Sequence, residues 1–360
     1  MKTYKNLYEQ VYDYDNLYHA YLEARKSKRF RDEVLEYSAN LEENLINLQN
    51  HLIYQSYRVG NYKRVIIRIP KKRIIMVLPF NDRVLQWAIY RVVNPLFTRS
   101  YISDSYGCIV NRGDLKCVRR IQYWLKLLEH EKKPAYILSM DIRKYFFRIP
   151  HDIMLKTLRK KIADERLMWL FETIVKSKTT AFGLSTDVDD VEMTEMLWDV
   201  GMPVGSLNSQ MIANIVLNEL DQYVKHIMKV PYYLRYMDNF IIISDDKAEL
   251  HRQKEIIQRF LHNELRLDFS YAEVSRARDG IEFAGYRVWA DKLHIRKSTA
   301  LRMKRNTRHV MKLYSENKIT LESAVATFRS YMGMISHCDN QSLMKKMLDD
   351  FVLVRNSQPE

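Results

Sequence analysis

The chain has 360 residues, of which 47% are hydrophobic and 12% aromatic, with only 9 glycines and 8 prolines. This composition excludes a disordered or low-complexity protein and allows two or three subdomains around a substantial core. The net charge of +14 favours a polyanionic partner, nucleic acid above all, because lysine and arginine contacts to phosphate release counterions. A soluble protein that is merely basic is the plainer alternative.

Cysteine usage and apolar runs predict where the protein resides. Cys108, Cys117 and Cys338 show no metal-ligand spacing, and their odd number favours a reducing compartment. The N-terminus has no apolar core typical of a signal peptide, and no apolar run approaches the ~18 residues of a membrane span. The sequence therefore predicts a soluble, cytoplasmic protein with no membrane partner.

The first third of the chain is predicted to pass from helices to a basic hairpin and back to helices. Residues 1–56 carry leucines and tyrosines at helical spacing. Residues 62–80 (YKRVIIRIPKKRIIMVLPF) contain two β-rich runs joined by a basic turn. Two amphipathic helices follow, the first opened by Asn81 as N-cap and stopped near Pro95, the second over residues 114–130.

The middle of the chain combines two short strands with a loop and a long helix. AYILSMDI (135–142) predicts an apolar strand that ends on Asp141. GMPVGSLNSQMIANIVLNELD predicts a Gly/Pro-rich loop that runs into a helix, and YYLRYMDNFIIIS predicts a hairpin with Asp238 at its tip. Residues 178–200 carry many acids without a clear period, which indicates an exposed acidic insertion. A split sheet with this order brings the two distant acids together.

The last third begins with strands and ends in helices. FAGYRVW (283–289) predicts one further strand. From about Lys297 the helical period returns, with basic residues distributed over the surface of the first helix.

Asp141 and Asp238 are a candidate pair of carboxylates for two-metal nucleotidyl transfer. Two carboxylates a few ångströms apart are what two Mg²⁺ ions need to activate a 3′-hydroxyl and hold a leaving pyrophosphate in line. Mg²⁺ is usually held by one or two protein carboxylates plus phosphate oxygens and water, so two acids suffice. A single aspartate at a strand end is more often a turn or cap residue, so the surrounding motifs must decide.

The surrounding motifs resemble those of bacterial reverse transcriptases. SMDIRKYFFRIPHD, GMPVGSLNSQMIANIVLNELD, YLRYMDNFIIIS and EFAGYRV follow the order of the palm motifs, and KKRIIMVLPFNDRVLQWAI and SYGCIVNRGD resemble the preceding fingers motifs. The resemblance runs from about residue 60 to 290. The loop VGSLNSQ is similar to that of reverse transcriptases from diversity-generating retroelements and of their defence-associated relatives.

The resemblance implies an α+β fold of the right-hand polymerase type, with fingers, an antiparallel palm sheet and a helical thumb. The implied domains are an N-terminal helical extension (1–60), the fingers (61–134), a palm (135–290) that contains the acidic insertion (about 178–200), and the thumb (291–360).

Site roles follow from the same motifs. Asp141 and Asp238 are expected to ligate two Mg²⁺ ions, for which Mn²⁺ can substitute, with help from the backbone carbonyl of Ile142. Phe146, five residues after Asp141, matches the aromatic gate that excludes a 2′-hydroxyl and so favours dNTPs. A core phenylalanine is the plainer interpretation of Phe146.

The remaining expected contacts fall into three groups. The loop beside the nascent base pair contributes Gly205, Ser209 and Gln210. The triphosphate-binding pair is expected among five basic residues of the fingers, any one of which could be a solvated surface charge: Arg64, Arg68, Lys71, Lys72 and Arg73. The primer-grip turn contains Phe283, Gly285 and Tyr286.

Three departures from the family pattern bear on activity. Asn239 replaces the second aspartate of YxDD beside the catalytic Asp238; it keeps an oxygen donor but loses a charge, so metal affinity should fall without vanishing. Residues 265–280 carry no lysine where the family usually has one that can protonate the leaving pyrophosphate. Val204 stands where most relatives have glutamine, a change that goes with error-prone copying in the retroelement family.

The leading prediction is an RNA-directed DNA polymerase that copies a structured non-coding RNA from its own locus, with dNTPs as substrates and DNA as product. A small basic accessory protein or a second copy of the chain is the expected protein partner. The same chemistry could instead serve antiphage defence. A catalytically degenerate palm that binds RNA as a scaffold is the third hypothesis; Asn239 and the missing lysine favour it, whereas Asp141, Asp238 and Phe146 argue against it.

Overall fold

The structure is a computed structural model and describes residues 2–67, 73–185 and 196–355. The helices are α1 (Tyr8–Tyr12), α2 (Tyr14–Ala24), α3 (Asp32–Ala39), α4 (Leu41–Ile53), α5 (Phe80–Thr98), α6 (Asp114–His130), α7 (Tyr145–Arg148), α8 (His151–Arg159), α9 (Glu165–Val175), α10 (Leu207–Gln222), α11 (Lys247–Phe260), α12 (Lys297–Ser315), α13 (Leu321–Ile335) and α14 (Gln341–Asp349). The strands are β1 (Lys63–Ile67), β2 (Arg73–Val77), β3 (Tyr136–Ile142), β4 (Tyr233–Tyr236), β5 (Asn239–Ser244), β6 (Phe269–Arg276), β7 (Ile281–Phe283), β8 (Tyr286–Val288) and β9 (Leu293–Ile295).

The predicted α+β class is confirmed. A two-stranded sheet pairs β1 with β2, a four-stranded sheet has the order β4-β5-β3-β6, and a three-stranded sheet has the order β7-β8-β9. The described residues contain no helix with both the length and the apolar character needed to cross a membrane.

The chain forms two compact units. Unit 1 consists of Met1–Asn111, Ser139–Ile241 and Arg252–Ala272, and unit 2 consists of Arg112–Leu138, Ile242–His251 and Glu273–Glu360.

The N-terminal helices of unit 1 confirm the helical prediction for residues 1–56. Their apolar stripes face inward, so that Leu17, Leu45 and Leu52 are fully buried. The hydroxyl of Tyr8 on α1 donates to the Leu52 carbonyl on α4 at 2.6 Å. This bond satisfies one of the carbonyls that the end of a helix leaves without a helical partner.

The predicted basic hairpin is also confirmed. β1 and β2 pair antiparallel, with Lys63 opposite Val77 and Ile67 opposite Arg73. The turn residues 68–72, which include three of the expected triphosphate-binding residues, lie outside the described residues. Ile74 and Met76 anchor the hairpin on a small apolar cluster with Phe182.

Helix α5 corrects two predictions about its ends. Its N-cap is Pro79, and Asn81 lies in the first turn, where its side-chain oxygen accepts a hydrogen bond from the Tyr37 hydroxyl at 3.1 Å. Pro95 does not stop the helix, which continues to Thr98. Burial of Phe97 beyond the proline offsets the backbone hydrogen bond that proline cannot make.

The acidic insertion predicted over residues 178–200 falls partly outside the described residues, which omit 186–195. Its two flanks meet, because Gly183 and Leu197 exchange backbone hydrogen bonds of 2.9 Å in each direction.

Unit 2 contains the three-stranded sheet β7-β8-β9 and the C-terminal helices, as predicted for the chain beyond Lys297. The predicted single strand 283–289 is wrong: β7 and β8 are separate three-residue strands joined by a tight turn. The N–H groups of Leu293 and Ile295 on β9 donate to the side chains of Asp339 and Asn340, at 2.8 and 2.7 Å. These side chains satisfy donors that an edge strand would otherwise leave unpaired.

Candidate active site

The turn between β4 and β5 places Asp238 at the tip of a hairpin in unit 1. Met237 and Asp238 form this two-residue turn, and Met237 has φ +56°. A non-glycine residue in the left-handed region is strained by of order 1 kcal/mol and persists only where surrounding contacts impose it. Both side chains are half-buried, so the tip of the turn reaches solvent.

The sheet brings Asp141 beside this turn, as the strand pattern predicts. The Ile142 N–H donates to the Asp238 carbonyl at 3.2 Å, and the Arg143 N–H donates to the Asp268 carbonyl at 2.9 Å. The end of β3 is therefore held on one side by the hairpin turn and on the other by the residue before β6. Two acids 97 positions apart thus stand on neighbouring strands.

A serine that sequence reasoning missed contacts the first acid. The Ser270 hydroxyl on β6 donates a short hydrogen bond to the Asp141 carboxylate and lies 3.2 Å from the Asp141 carbonyl. Hydrogen bonds to ligating carboxylates orient them toward a metal. No local sequence signal marks Ser270, because the contact depends on β6 pairing next to β3.

Asn239 contacts both the second acid and β6. Its amide nitrogen donates to the Asp238 carboxylate at 3.4 Å, and its amide oxygen accepts from the Tyr271 hydroxyl at 3.5 Å. A second aspartate at this position would place a like charge where a donor now stands, and would raise the cost of holding both acids ionised. Asn239 therefore places a neutral donor beside the Asp238 carboxylate.

Asp141 and Asp238 could hold a divalent cation. Carboxylate oxygens are the ligands that Mg²⁺ prefers, and one or two of them with phosphate oxygens and water complete its coordination. Among the residues with described positions, no group of three or more His, Cys, Asp or Glu side chains is arranged to hold a metal. The pair of acids fits the expected donor set.

Phe146 follows Asp141 through a sharp reversal. Lys144 has φ +48° and starts the single-turn helix α7. The neighbouring Tyr145 is the core residue of this turn, since it is buried and its hydroxyl donates to the Ala213 carbonyl at 2.8 Å. Phe146 is only half-buried, and its carbonyl accepts from the Met202 N–H at 2.6 Å. Phe146 is therefore not fully buried, and the adjacent Phe147 is half-buried as well.

The Gly/Pro-rich loop packs against the β1–β2 hairpin. The Met76 N–H donates to the Val204 carbonyl at 2.9 Å, and Gly205 has φ +103°. A Cβ on Gly205 would lie 2.8 Å from the side chain of Ile75, so both the conformation and the space favour glycine.

Ser209 and Gln210 do not lie in this loop, and the prediction of their location is wrong. Both belong to the first turn of α10, whose N-cap Ser206 accepts a hydrogen bond from the Ser209 N–H. Ser209 is 4% exposed. The sequence Ser-Leu-Asn-Ser carries an N-cap signal that the loop interpretation overlooked.

The basic residues expected to bind triphosphate are only partly described. Arg64 lies exposed on β1, and Arg73 begins β2. Arg68, Lys71 and Lys72 lie outside the described residues.

A second backbone segment contacts the Asp238 turn. A Cβ on Gly107 would lie 2.5 Å from the Met237 side chain and 2.6 Å from its backbone nitrogen. Burial and the negative charge of Asp238 raise the pKa of the neighbouring Cys108 thiol. Cys108 thus lies within electrostatic reach of Asp238, a proximity that no spacing pattern could reveal.

The predicted primer-grip residues lie in unit 2. Phe283 and Tyr286 are paired across the β7–β8 turn and are 6% and 3% exposed. Ala284 and Gly285 form the turn with φ +46° and +90°. The two buried rings flank the turn on both sides.

Two acids brought together on one sheet, one at the end of β3 and one on a hairpin tip, fit the arrangement of a palm-type nucleotidyltransferase. The family model described as "Reverse transcriptase (RNA-dependent DNA polymerase)" matches residues 63–288. The chain belongs to this family, and the predicted enzyme class, an RNA-directed DNA polymerase, is confirmed.

Similar proteins were found among curated sequences and solved structures. The chain is 24% identical over 289 residues to Protein YkfC of Escherichia coli (strain K12), covering 69% of this chain and 72% of that protein. It is 22% identical over 145 residues to the putative COX1/OXI3 intron 2 protein of Saccharomyces cerevisiae, covering 40% of this chain and only 15% of that protein. The structure of apo telomerase from Candida tropicalis matches with TM-score 0.47 and 13% identity, covering 81% of this chain and 61% of that one.

Proposed function

We propose that this protein copies RNA into DNA by two-metal nucleotidyl transfer at Asp141 and Asp238. The observation that carries the proposal is the hydrogen bond from the Ile142 N–H to the Asp238 carbonyl, which joins the two acid-bearing strands within the family's matched region. We also assign the β1–β2 hairpin to the fingers and helices α12–α14 to the thumb.

The two acids would hold Mg²⁺, or Mn²⁺ in its place, with the Ile142 carbonyl as a further ligand. When bound, the ions would activate the primer 3′-hydroxyl and neutralise charge on the phosphates. Ser270 keeps the Asp141 carboxylate turned toward this position, and the Asn239 amide donates to the Asp238 carboxylate. The protein thus supplies preorganised charge, the main protein contribution to phosphoryl transfer.

Phe146 would select deoxyribonucleotides. Its ring is half-buried beside the turn that follows Asp141, where a ring can contact the sugar of an incoming nucleotide and leave no space for a 2′-hydroxyl. Phe146→Ala should reduce the preference for dNTPs over NTPs by roughly 10- to 100-fold, the range that small steric differences give. Single-nucleotide addition with dATP and ATP measures this ratio. Phe147→Leu is the matched control, and an unchanged ratio in Phe146→Ala would contradict the role.

The proposed template is a structured non-coding RNA, and the proposed protein partner is a small basic accessory protein or a second copy. The net charge of +14 supports a nucleic-acid partner, and the VGSLNSQ loop supports a retroelement of the diversity-generating type. Antiphage defence would use the same chemistry, and the genes beside this locus discriminate the two settings.

The rival function is RNA binding without catalysis. It is favoured by Asn239 and by the absence of lysine from residues 265–280. RNA binding alone does not separate the two functions, because both predict strong salt dependence.

Incorporation of dNTPs on a primed RNA template, with Mg²⁺ and with Mn²⁺, tests the proposal. Asp141→Ala and Asp238→Ala should each abolish incorporation while RNA binding is retained. Asp245→Ala is the matched control, since this exposed acid follows β5 and pairs with Lys133 at 3.4 Å. Wild-type protein that incorporates nothing with either metal, although it binds the RNA, would establish the scaffold function instead.

A further inference from the structure

A fully buried ion pair lies directly behind the Asp238 turn. Arg235 on β4 and Asp221 on α10 have side chains that are both 0% exposed. The guanidinium contacts the carboxylate through two nitrogens: Nε donates to Oδ1 at 2.9 Å and Nη2 donates to Oδ2 at 2.7 Å. This is the bidentate geometry that arginine and not lysine can provide.

The third nitrogen of the same guanidinium points at the turn. Nη1 of Arg235 donates to the Met237 carbonyl at 3.0 Å and to the Asn214 side-chain oxygen at 2.9 Å. The Met237 carbonyl belongs to the peptide group that joins Met237 to Asp238. Arg235 therefore fixes the plane of the peptide from which Asp238 projects.

A second set of contacts closes the other side of the turn. Asn214 donates through its amide nitrogen to the Gly107 carbonyl at 2.9 Å, and Gly107 in turn packs against Met237. The backbone of Arg235 is also paired, since its N–H donates to Asp104 and its carbonyl accepts from Tyr106, both at 2.9 Å. These contacts explain how Met237 is kept at a positive φ.

The energetics of the buried Arg235–Asp221 pair indicate that it positions the turn and adds little to the stability of the fold. Replacing a buried ion pair by apolar residues of similar volume is often neutral or stabilising. An apolar pair, however, cannot donate a hydrogen bond to the Met237 carbonyl. The property that only the charged pair supplies at this place is therefore the orientation of the turn.

We propose that Arg235, braced by Asp221 and Asn214, is a positioning residue that sets the Asp238 carboxylate for metal binding through the Met237 peptide. The metal-binding part of this inference rests on the proposed function. The part that concerns the turn stands on the contacts alone.

The decisive variant is the double replacement Arg235→Met with Asp221→Leu, which removes both charges together. We expect its melting temperature to stay near that of the wild type. Amide exchange at residues 237–239 should become faster, and Mn²⁺ affinity, measured by the electron paramagnetic resonance signal of free Mn²⁺, should fall about 10- to 100-fold, as losses of groups that orient metal ligands typically do.

Two further variants keep the test decisive. Arg235→Lys retains a charge for Asp221 and so protects folding if the double variant does not fold, but one ammonium cannot replace the fork that reaches Met237. Tyr233→Phe is the matched control: it removes a hydroxyl that donates to Asp221 at 2.7 Å but keeps the Arg235 contact with the Met237 carbonyl, so exchange at the turn and Mn²⁺ affinity should not change.

Unchanged exchange at the turn in the double variant, or in Arg235→Lys, would overturn the proposal. If wild-type protein incorporates no dNTP and binds no Mn²⁺, the proposed function fails, whereas amide exchange still decides whether Arg235 positions the turn.

Discussion

Two tight turns of the molecule reach similar backbone shapes by different means. The β4–β5 turn in unit 1 and the β7–β8 turn in unit 2 each start with a non-glycine residue at positive φ, Met237 at +56° and Ala284 at +46°. The β7–β8 turn continues with Gly285 at +90°, the residue type such hairpin turns favour, and is flanked by the buried pair Phe283 and Tyr286.

The β4–β5 turn has no glycine, and contacts from residues outside the turn impose its shape. Arg235 binds its central carbonyl, and Gly107 packs on its backbone. The β7–β8 turn thus encodes its shape locally, whereas the β4–β5 turn derives its shape from surrounding contacts and places an acid on the tip. Strain that surrounding contacts must support is typical of functional sites.

The largest effect is expected when an added side chain crowds the β4–β5 turn, whose shape depends on surrounding contacts. Gly107→Ala would put a Cβ 2.6 Å from the Met237 nitrogen, so the backbone that carries Asp238 must shift. Overpacking of this kind costs about 1–3 kcal/mol of unfolding free energy, and displacement of a reacting group by 1 Å can cost about 100-fold in rate. Denaturant unfolding and single-dNTP addition measure the two effects.

Gly333→Ala is the matched control for Gly107→Ala, since Gly333 lies in α13 with nothing within 4 Å of its Cβ position. It should be neutral or stabilise by about 0.5–1 kcal/mol, the usual gain for alanine in a helix. Equal activity in Gly107→Ala and wild type would show that the turn tolerates displacement.

A smaller effect is expected at the β7–β8 turn, whose own residues favour its shape. Gly285→Ala forces a side chain into φ +90° and should destabilise the protein by about 1 kcal/mol. Mn²⁺ affinity should stay at the wild-type value, because the change alters neither acid nor any group bonded to them. A loss of Mn²⁺ affinity in Gly285→Ala would contradict the claim that only the β4–β5 turn supports metal binding.

The comparison of turns also shows what sequence patterns can and cannot predict. Hairpin periodicity and the order of motifs were sufficient to predict that Asp141 and Asp238 meet. The contacts of Ser270 and Gly107 could not be predicted, because each depends on pairing between segments far apart in sequence. The contact of Arg235 could not be predicted because it depends on burial of this side chain against Asp221 on α10. A charged residue inside the apolar run YYLRYM was the one visible sign of the buried pair.

Local signals failed where tertiary packing overrode them. Pro95 was expected to end α5, yet the buried side chain of Phe97 keeps the following turn helical. The strand predicted over residues 283–289 ignored the turn chemistry of Ala284 and Gly285, and the loop assigned to Ser209 overlooked the Ser206 cap.

The smallest expected effect is a change in the reactivity of Cys108 when the charge at Asp238, in the β4–β5 turn, changes. Burial and the Asp238 charge raise the pKa of the Cys108 thiol, so little reactive thiolate forms near neutral pH. A divalent cation at Asp238 would offset that charge and lower the pKa of the Cys108 thiol. Each fall of half a pKa unit would raise the thiolate fraction, and with it the rate of alkylation, roughly threefold. Mass spectrometry of iodoacetamide-treated protein with and without Mg²⁺ measures this.

Cys338 is the internal control for Cys108, because burial raises the pKa of its thiol to about 11 without any contribution from Asp238. Its alkylation should not respond to Mg²⁺. A Cys108 rate that also ignores Mg²⁺ would argue against metal binding at Asp238.

The most direct test of the central claim, a working site in which Asn239 stands beside the catalytic acid, is the Mg²⁺ dependence of single-dNTP addition on a primed RNA. Wild type and Asn239→Asp should be titrated side by side. We expect wild type to add the nucleotide, and Asn239→Asp to reach half-maximal rate at a several-fold lower Mg²⁺ concentration, because a second carboxylate adds charge for the metal. Absence of addition by both proteins at every Mg²⁺ concentration would contradict the account.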